Sequence, residues 1–182
     1  EGGYAAVAIA DSLYKEGKTI LTVQAGGGPY RLSSAQISFI VRQVLDGTFI
    51  AAQRYYVALI ASAYSNTTTD VLNYGQGQYM LNLTVRDEIL DVVHSPAGQP
   101  KINALIPESN PLSIINDNFA DDLAGAIQRG ETEPCVTSVV QGETDKICKA
   151  LQDNDLVDVL EASPYCHNSS YIYMYLTLYI SF

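Results

Sequence analysis

The closing stretch of the chain, residues 171–182, alternates strictly between two kinds of side chain. It contains no glycine, proline or charged residue. Because successive side chains of a strand point to opposite faces, the alternation predicts a β-strand with one buried face and one solvent-facing side. The apolar face would be formed by Ile172, Met174, Leu176, Leu178, Ile180 and Phe182. The hydroxyl-bearing face would be formed by Tyr171, Tyr173, Tyr175, Thr177, Tyr179 and Ser181.

Such a strand needs both a neighbouring strand and a cover for its faces. Burial of its apolar side chains would contribute on the order of 10 kcal/mol. An exposed row of tyrosines on a long, flat strand would promote aggregation, so some element has to cover that row. The strand could pair inside its own subunit, or it could add to the sheet of another copy. Repeated addition between copies is a heterologous contact, and it would propagate into a filament.

We therefore expect an extracellular structural subunit that self-assembles into a filament or surface fibre by terminal strand exchange. The partners would be other copies of the same chain. The second-choice assembly strand is the N-terminal run that contains Tyr4, Val7 and Ile9. Two alternatives stay open: a secreted monomeric ligand-binding domain and a secreted hydrolase.

Composition and charge limit the class of protein. A hydrophobic content of 47% with only 16% charged residues is typical of a folded chain. The formal net charge of −10 argues against nucleic acid or an anionic membrane as partner. The most apolar region, residues 37–64, is interrupted by Arg42, Asp46 and Arg54, so we expect no membrane span. The opening residues Glu1-Gly2-Gly3 indicate a processed N-terminus and hence a secreted or cell-surface protein.

The asparagine and cysteine residues also favour an extracellular location. Asparagines in the pattern for N-linked glycosylation occur at Asn66, Asn82 and Asn168. The cysteines all lie in the last third of the chain and lack zinc-site spacing: Cys135, Cys148 and Cys166. In an oxidising compartment we expect Cys135 to pair with one of the other two. Three reduced core cysteines are the alternative.

The coarse secondary-structure pattern predicts a single α+β domain over residues 1–182. It would combine a mixed or antiparallel sheet, a central helical segment and the long C-terminal strand. If the domain has a weak boundary, the proline-rich connection 95–111 is the best candidate. Strands are predicted as a hairpin over 4–25, at 79–85 and at 136–140. Helices are predicted over 37–64 with a break at Gly47, over 86–93, from about 117 to 129, and over 144–160.

No motif for catalysis or cofactor binding is convincing. Gly26-Gly27-Gly28-Pro29 lies between a predicted strand and a helix, but its spacing fits no phosphate-binding loop and Pro29 removes a main-chain donor. The two histidines, His94 and His167, lack a nucleophile motif. The acidic cluster after Asn116 predicts helix capping in preference to a calcium loop. Arg42 and Arg54 are expected to face solvent or pair with Asp46. We expect no enzyme activity, metal or cofactor.

Overall fold

The computed structural model describes residues 2–19, 23, 30–50, 53–65, 80–93, 95, 98–107, 110–137 and 139–157. Within these residues the chain is mainly helical, and none of the described helices is long and apolar enough to cross a membrane. The α-helices are α1 (Gly2–Lys15), α2 (Ile37–Leu45), α3 (Arg54–Ala63), α4 (Arg86–Val93), α5 (Gly98–Leu105), α6 (Asp117–Gln128) and α7 (Glu143–Asp153). A π-helical turn, Leu32–Gln36, precedes α2, and a 3-10 turn, Pro111–Ile114, precedes α6.

The predicted α+β class is wrong for the described part of the chain, which contains no sheet. Its one β-type pairing is an isolated antiparallel bridge between Leu81 and Ile115. The N-terminal hairpin is also wrong, because residues 2–15 form α1. This segment is rich in alanine, which has the highest helix propensity and is depleted in strands. The short apolar run was interpreted as a strand, but the alanine content of the segment favours a helix.

The turn predicted after this segment is present, but it ends a helix. Gly17 has a φ of 76°, a left-handed conformation that glycine adopts without steric cost. Its N–H donates to the carbonyl of Tyr14 at 2.8 Å, and the N–H of Lys18 donates to that of Leu13 at 3.0 Å. This pair of bonds is the Schellman motif that satisfies the last carbonyls of a helix.

The predicted helical pattern of residues 37–64 is confirmed. It divides into α2 and α3, and α2 ends just before Gly47, where the break was expected. Ile37, Ile40 and Val41 are buried along one face of α2. The predicted helices at 86–93 and from 117 are also confirmed as α4 and α6. The last predicted helix, 144–160, is interrupted where a kink near Asp153-Asn154 was expected: α7 ends at Asp153, residue 157 is helical again, and residues 158–160 lie outside the described residues.

The connection 95–111 is not wholly irregular, because it contains α5. Pro100 is the third residue of this helix. The N–H groups of the first turn have no partner inside a helix, so a proline there removes no helical hydrogen bond. Gly98 begins α5 where a Cβ atom would lie 3.1 Å from the carbonyl oxygen of Val92. A residue without a side chain therefore allows α5 to start against the end of α4.

The strands predicted at 79–85 and 136–140 are wrong in their described residues. Residues 80–82 pair with 114–116 through only two bonds: Asn82 N–H to Ile114 O at 2.7 Å and Asn116 N–H to Met80 O at 2.8 Å. Residues 83–85 then turn into α4. Residues 134–137 form a turn in which the N–H of Val136 donates to Glu133 O at 2.9 Å. Beyond residue 82 and at residues 134–137, local turn bonds replace a strand ladder.

The chain divides into two compact units. The first contains the described residues up to Leu32 and those from Asn154 onward. The second extends from Ser33 to Asp153 and includes residues 95–111. In the second unit α6 packs against α2 and α7, while α3, α4 and α5 pack against one another. Its largest fully buried side chains include those of Phe119, Met80, Leu81, Ile89, Ile102, Leu123 and Leu151.

Candidate association surface

Helix α1 of the first unit has one packed face and one exposed apolar face. On the packed face, Val7 is buried in a cluster with Tyr30 and Leu156. Partly buried side chains surround this cluster: Tyr4, Ala8, Val23 and Val157. A main-chain bond from Leu156 N–H to Tyr30 O at 2.9 Å holds two distant segments together beside the helix. The packed face of α1 is therefore fixed by residues from both ends of the chain.

Tyr4 provides the polar contact on this packed face. Its hydroxyl donates to the main-chain oxygen of Asn154 at 2.7 Å. Burial raises the pKa of the Tyr4 hydroxyl, and the nearby carboxylate of Asp155 raises that pKa further. Both causes disfavour a tyrosinate at this position. The hydroxyl therefore stays a hydrogen-bond donor over the physiological pH range.

The opposite face of α1 exposes apolar side chains in a line. Ile9 is 60% exposed and Leu13 is 36% exposed. These two residues are four positions apart, and Ala5 precedes Ile9 by the same interval, so the three side chains lie along one side of the helix. We call Ala5, Ile9 and Leu13 the α1 stripe. Tyr14, which is 52% exposed, lies beside its C-terminal end.

An ion pair lies beside the α1 stripe. Lys15 Nζ lies 2.7 Å from a carboxylate oxygen of Asp11, one helical turn earlier. The stripe itself contains no charged residue. A contiguous apolar surface of this kind is typical of a protein–protein contact. Helical spacing in the sequence could have revealed it, but the N-terminal run was interpreted as a strand.

The structure separates the residues predicted to assemble. Tyr4 and Val7 lie on the packed face of α1, and Ile9 lies on the exposed face. The prediction that these residues form an exchanged strand is wrong, because the segment is helical. The first-choice assembly strand, residues 171–182, lies outside the described residues. Its strand character stays a prediction.

The predicted pairing of Cys135 is resolved in favour of Cys148. The two cysteines form a disulfide that joins the turn after α6 to the middle of α7. Both are buried. The side-chain amide of Gln152 donates to the carbonyl of Cys135 and adds a second link between the turn and α7. Cys166, the other candidate partner, lies outside the described residues.

Arg42 holds the segment that precedes this disulfide. Its Nη2 donates to the main-chain oxygens of Glu131 at 3.1 Å and Thr132 at 2.8 Å. Arg54 likewise donates to the main-chain oxygen of Ile106 at 2.9 Å. The expectation that these arginines face solvent or pair with Asp46 is therefore wrong. Each arginine thus links its helix to main-chain carbonyl groups that are distant in the sequence.

Other predicted site residues fall into two groups. Of the asparagines predicted to carry glycans, Asn82 is described, while Asn66 and Asn168 lie outside the described residues. His94, His167 and the glycine-rich loop 26–28 also lie outside them.

Asn116 caps α6, as predicted, since its side-chain oxygen accepts from the N–H of Phe119 at 3.2 Å. Among the described residues no group of three or more His, Cys, Asp or Glu side chains could hold a metal ion.

No protein-family model, curated protein or solved structure matches the chain.

Proposed function

We propose that the protein is an extracellular structural subunit that self-associates. The contact surface is the α1 stripe, and its occupant is the apolar face of residues 171–182 from another copy. The observation that carries this proposal is the exposure of Ile9 and Leu13 on a helix whose opposite face is packed. Apolar area that stays in contact with water is free to contribute to association when a second surface covers it.

The chemistry of the terminal segment suits this surface. Residues 171–182 carry no charge, and every second side chain is apolar. The α1 stripe is likewise uncharged. An apolar face placed on an apolar stripe leaves no buried charge unpaired, which is the costliest defect of a contact.

Backbone hydrogen bonding favours the participation of a second copy. The main-chain groups of a helix bond to one another, so α1 can cover the apolar face of a strand but cannot pair with its N–H and C=O groups. Those groups need another extended segment. Residues 171–182 of neighbouring copies can pair with one another while their apolar faces lie on α1 stripes. This arrangement replaces insertion into a sheet, since the described residues contain none to receive a strand.

The position of Val157 supports the proposal that residues 171–182 contact α1. Val157 packs against the cluster that contains Val7 of α1. Tyr171 lies fourteen positions further along the chain, which is a reach of up to roughly 45 Å when extended. The segment can therefore reach α1 of its own copy or of a neighbour. If each copy gives its segment to the next, the contact propagates along a fibre. The disulfide between Cys135 and Cys148 supports an oxidising location.

Deletion of residues 171–182 tests the proposal. We expect the full chain to form assemblies in size-exclusion chromatography with light scattering and in negative-stain images. The deletion should yield monomers. The double variant I9S/L13S should weaken assembly as well, whereas Leu83→Ser is the matched control because Leu83 is 63% exposed in the other unit.

Charge gives an independent check on the driving force. Copies that each carry a net charge of −10 repel one another. Added salt screens this repulsion, so apolar association should strengthen as ionic strength rises. A monomeric full chain at every salt concentration would overturn the proposal. So would a monomer whose α1 amides lose exchange protection on deletion, because the segment would then cover its own copy.

A further inference from the structure

The turn that leads into α4 carries an asparagine with an unusually complete set of contacts. Asn82, Leu83 and Thr84 form an Asn-x-Thr pattern in which the middle residue is not proline. The side-chain oxygen Oδ1 of Asn82 accepts from the main-chain N–H of Thr84 at 3.0 Å and from Thr84 Oγ1 at 2.8 Å. Asparagine thus closes a local turn in which the hydroxyl two positions later contacts its amide.

The main chain of Asn82 is held on both sides. Its N–H donates to Ile114 O at 2.7 Å, and its carbonyl accepts from the N–H groups of Val85 and Arg86 at 3.1 and 3.0 Å. These bonds attach the turn to the bridge beside Leu81 and to the first turn of α4. The side chain therefore has a defined position at the surface, next to the exposed residues Leu83 and Thr84.

We propose that Asn82 is an N-glycosylation acceptor and that the folded domain carries the glycan without loss of these contacts. The donor would be an oligosaccharide linked to a lipid diphosphate. A bond forms between Asn82 Nδ2 and C1 of the first sugar. The bond from C1 to the phosphate oxygen breaks, the lipid diphosphate leaves, and the amide nitrogen gives up one proton.

The amide nitrogen of Asn82 can bond to a sugar and still carry one hydrogen. Asn82 Nδ2 donates one N–H to Asp117 Oδ1 at 3.1 Å. A primary amide has two N–H groups, so the glycosylated nitrogen keeps one N–H that can donate. Oδ1 is not altered by the reaction and still accepts from Thr84. The modification therefore removes none of the hydrogen bonds that define the turn.

The neighbouring side chain gives the glycan a physical role. Leu83 is 63% exposed, the largest exposure among the large hydrophobic side chains of the described residues. A sugar attached to the preceding residue can cover part of this apolar surface. Glycosylation at Asn82 would thereby lower the tendency of this turn to make non-specific apolar contacts.

The site can be tested with the full chain translated behind a cleavable signal sequence in the presence of endoplasmic-reticulum microsomes. The double variant N66Q/N168Q leaves Asn82 as the sole acceptor pattern in the chain. We expect one mobility shift that peptide N-glycosidase F reverses. Adding Thr84→Ala should abolish the shift while Asn82 stays in place, and Thr84→Ser should retain it. A double variant without the shift overturns the proposal.

The folded state is tested on the glycosylated product. We expect it to be soluble and to contain the disulfide between Cys135 and Cys148. Retention on a hydrophobic-interaction column should fall relative to the enzymatically deglycosylated protein, and the change should be smaller with Leu83→Ser. Glycan found only on aggregated or disulfide-free chains would overturn the proposal that the fold accommodates it. These outcomes do not depend on self-association, since residues 171–182 can be deleted in parallel.

Discussion

The hydroxyl of Tyr4 donates a 2.7 Å hydrogen bond to the main-chain oxygen of Asn154, a residue 150 positions further along the chain. The bond joins the first helix to the segment that follows α7. It lies beside the apolar cluster of Val7, Tyr30 and Leu156. The α1 stripe is exposed because contacts such as this one hold the opposite face of the helix against the rest of its unit.

Replacement of Tyr4 by Phe should loosen the packed face of α1. The ring stays, but the Asn154 oxygen loses its donor, which costs about 0.5–1.5 kcal/mol. Amide hydrogen exchange is the appropriate measurement, because the change is confined to one unit. We expect faster exchange in α1 and unchanged exchange in α6. Unchanged protection throughout α1 would contradict the structural role of this hydroxyl.

The same residue predicts a loss of stability at alkaline pH. The folded-state pKa of Tyr4 is raised above its ordinary value of 10.0, first by burial and then by Asp155. A raised pKa means that its stabilising contribution is complete below the unfolded pKa and is lost as pH rises through the folded one. Thermal unfolding followed between about pH 9 and 12 should show a steeper decline for the native chain than for Tyr4→Phe. Parallel declines would contradict the prediction.

Ser65 and Ser62 form a matched pair for a substitution experiment. Ser65 Oγ is buried, donates to Ala61 O at 2.7 Å and accepts from the N–H of Leu81 at 2.7 Å. Ser65→Ala leaves the buried Leu81 N–H without this acceptor and should cost about 1–3 kcal/mol in free energy of unfolding. Chemical denaturation measures the change.

Ser62 is the control for that variant. It is also buried, but its Oγ has no hydrogen-bond partner among the described residues. Ser62→Ala removes an unsatisfied hydroxyl and should leave the free energy of unfolding unchanged or slightly higher. Equal losses in the two variants would show that the bridge through Ser65 contributes nothing specific.

Arg42→Met tests how much the hydrogen bonds from Arg42 to the segment after α6 contribute to stability. Methionine keeps much of the apolar length of the side chain, while the two donations to Glu131 and Thr132 are lost. Hydrogen bonds from a charged group contribute about 1.5–3 kcal/mol, so a loss of this order is expected in urea unfolding. Lys101→Met, at an exposed position of α5, is the control and should change stability little. A similar loss in both variants would mean that the charge alone matters.

Removal of the disulfide should destabilise the chain without changing its helices. The bond between Cys135 and Cys148 closes a loop with a sequence separation of 13. A loop of this length predicts a loss of about 3 kcal/mol in C135S/C148S. Circular dichroism should retain the helical signal at low temperature, while the unfolding midpoint falls. Cys166→Ser should leave the bond intact by peptide mapping under non-reducing conditions. A bond from Cys148 to Cys166 in the native chain would contradict the assignment.

Local signals in the sequence predicted much of the second unit. The spacing of Ile37, Ile40 and Val41 identified α2, and the break near Gly47 separated it from α3. The acidic first turn of α4 and the capping oxygen of Asn116 marked the starts of α4 and α6. These signals are reliable because each involves residues within one or two helical turns, whose contacts follow from helix geometry alone.

The predictions that failed concern features that neighbouring residues do not determine. The run that begins at Tyr4 is short and apolar, and such a run fits a strand or a helix equally well by periodicity. Its alanine content favoured a helix, and packing against Tyr30 and Leu156 determined which face is buried. The acceptors of Arg42 lie 89 and 90 positions away, and no local pattern encodes them. The candidate surface was missed because the N-terminal run was interpreted as a strand.

The sequence by itself determined where most helices of the second unit lie and that Asn82 begins an acceptor pattern. It determined them because propensity, capping and motif spacing are properties of neighbouring residues. Only the tertiary structure decided that Ile9 and Leu13 face outward, that Cys148 is the partner, and that Asp117 holds the Asn82 amide. Those relationships depend on which distant segments pack into the same core. Because the hydrophobic effect is non-directional, the order of residues along the chain does not specify these contacts.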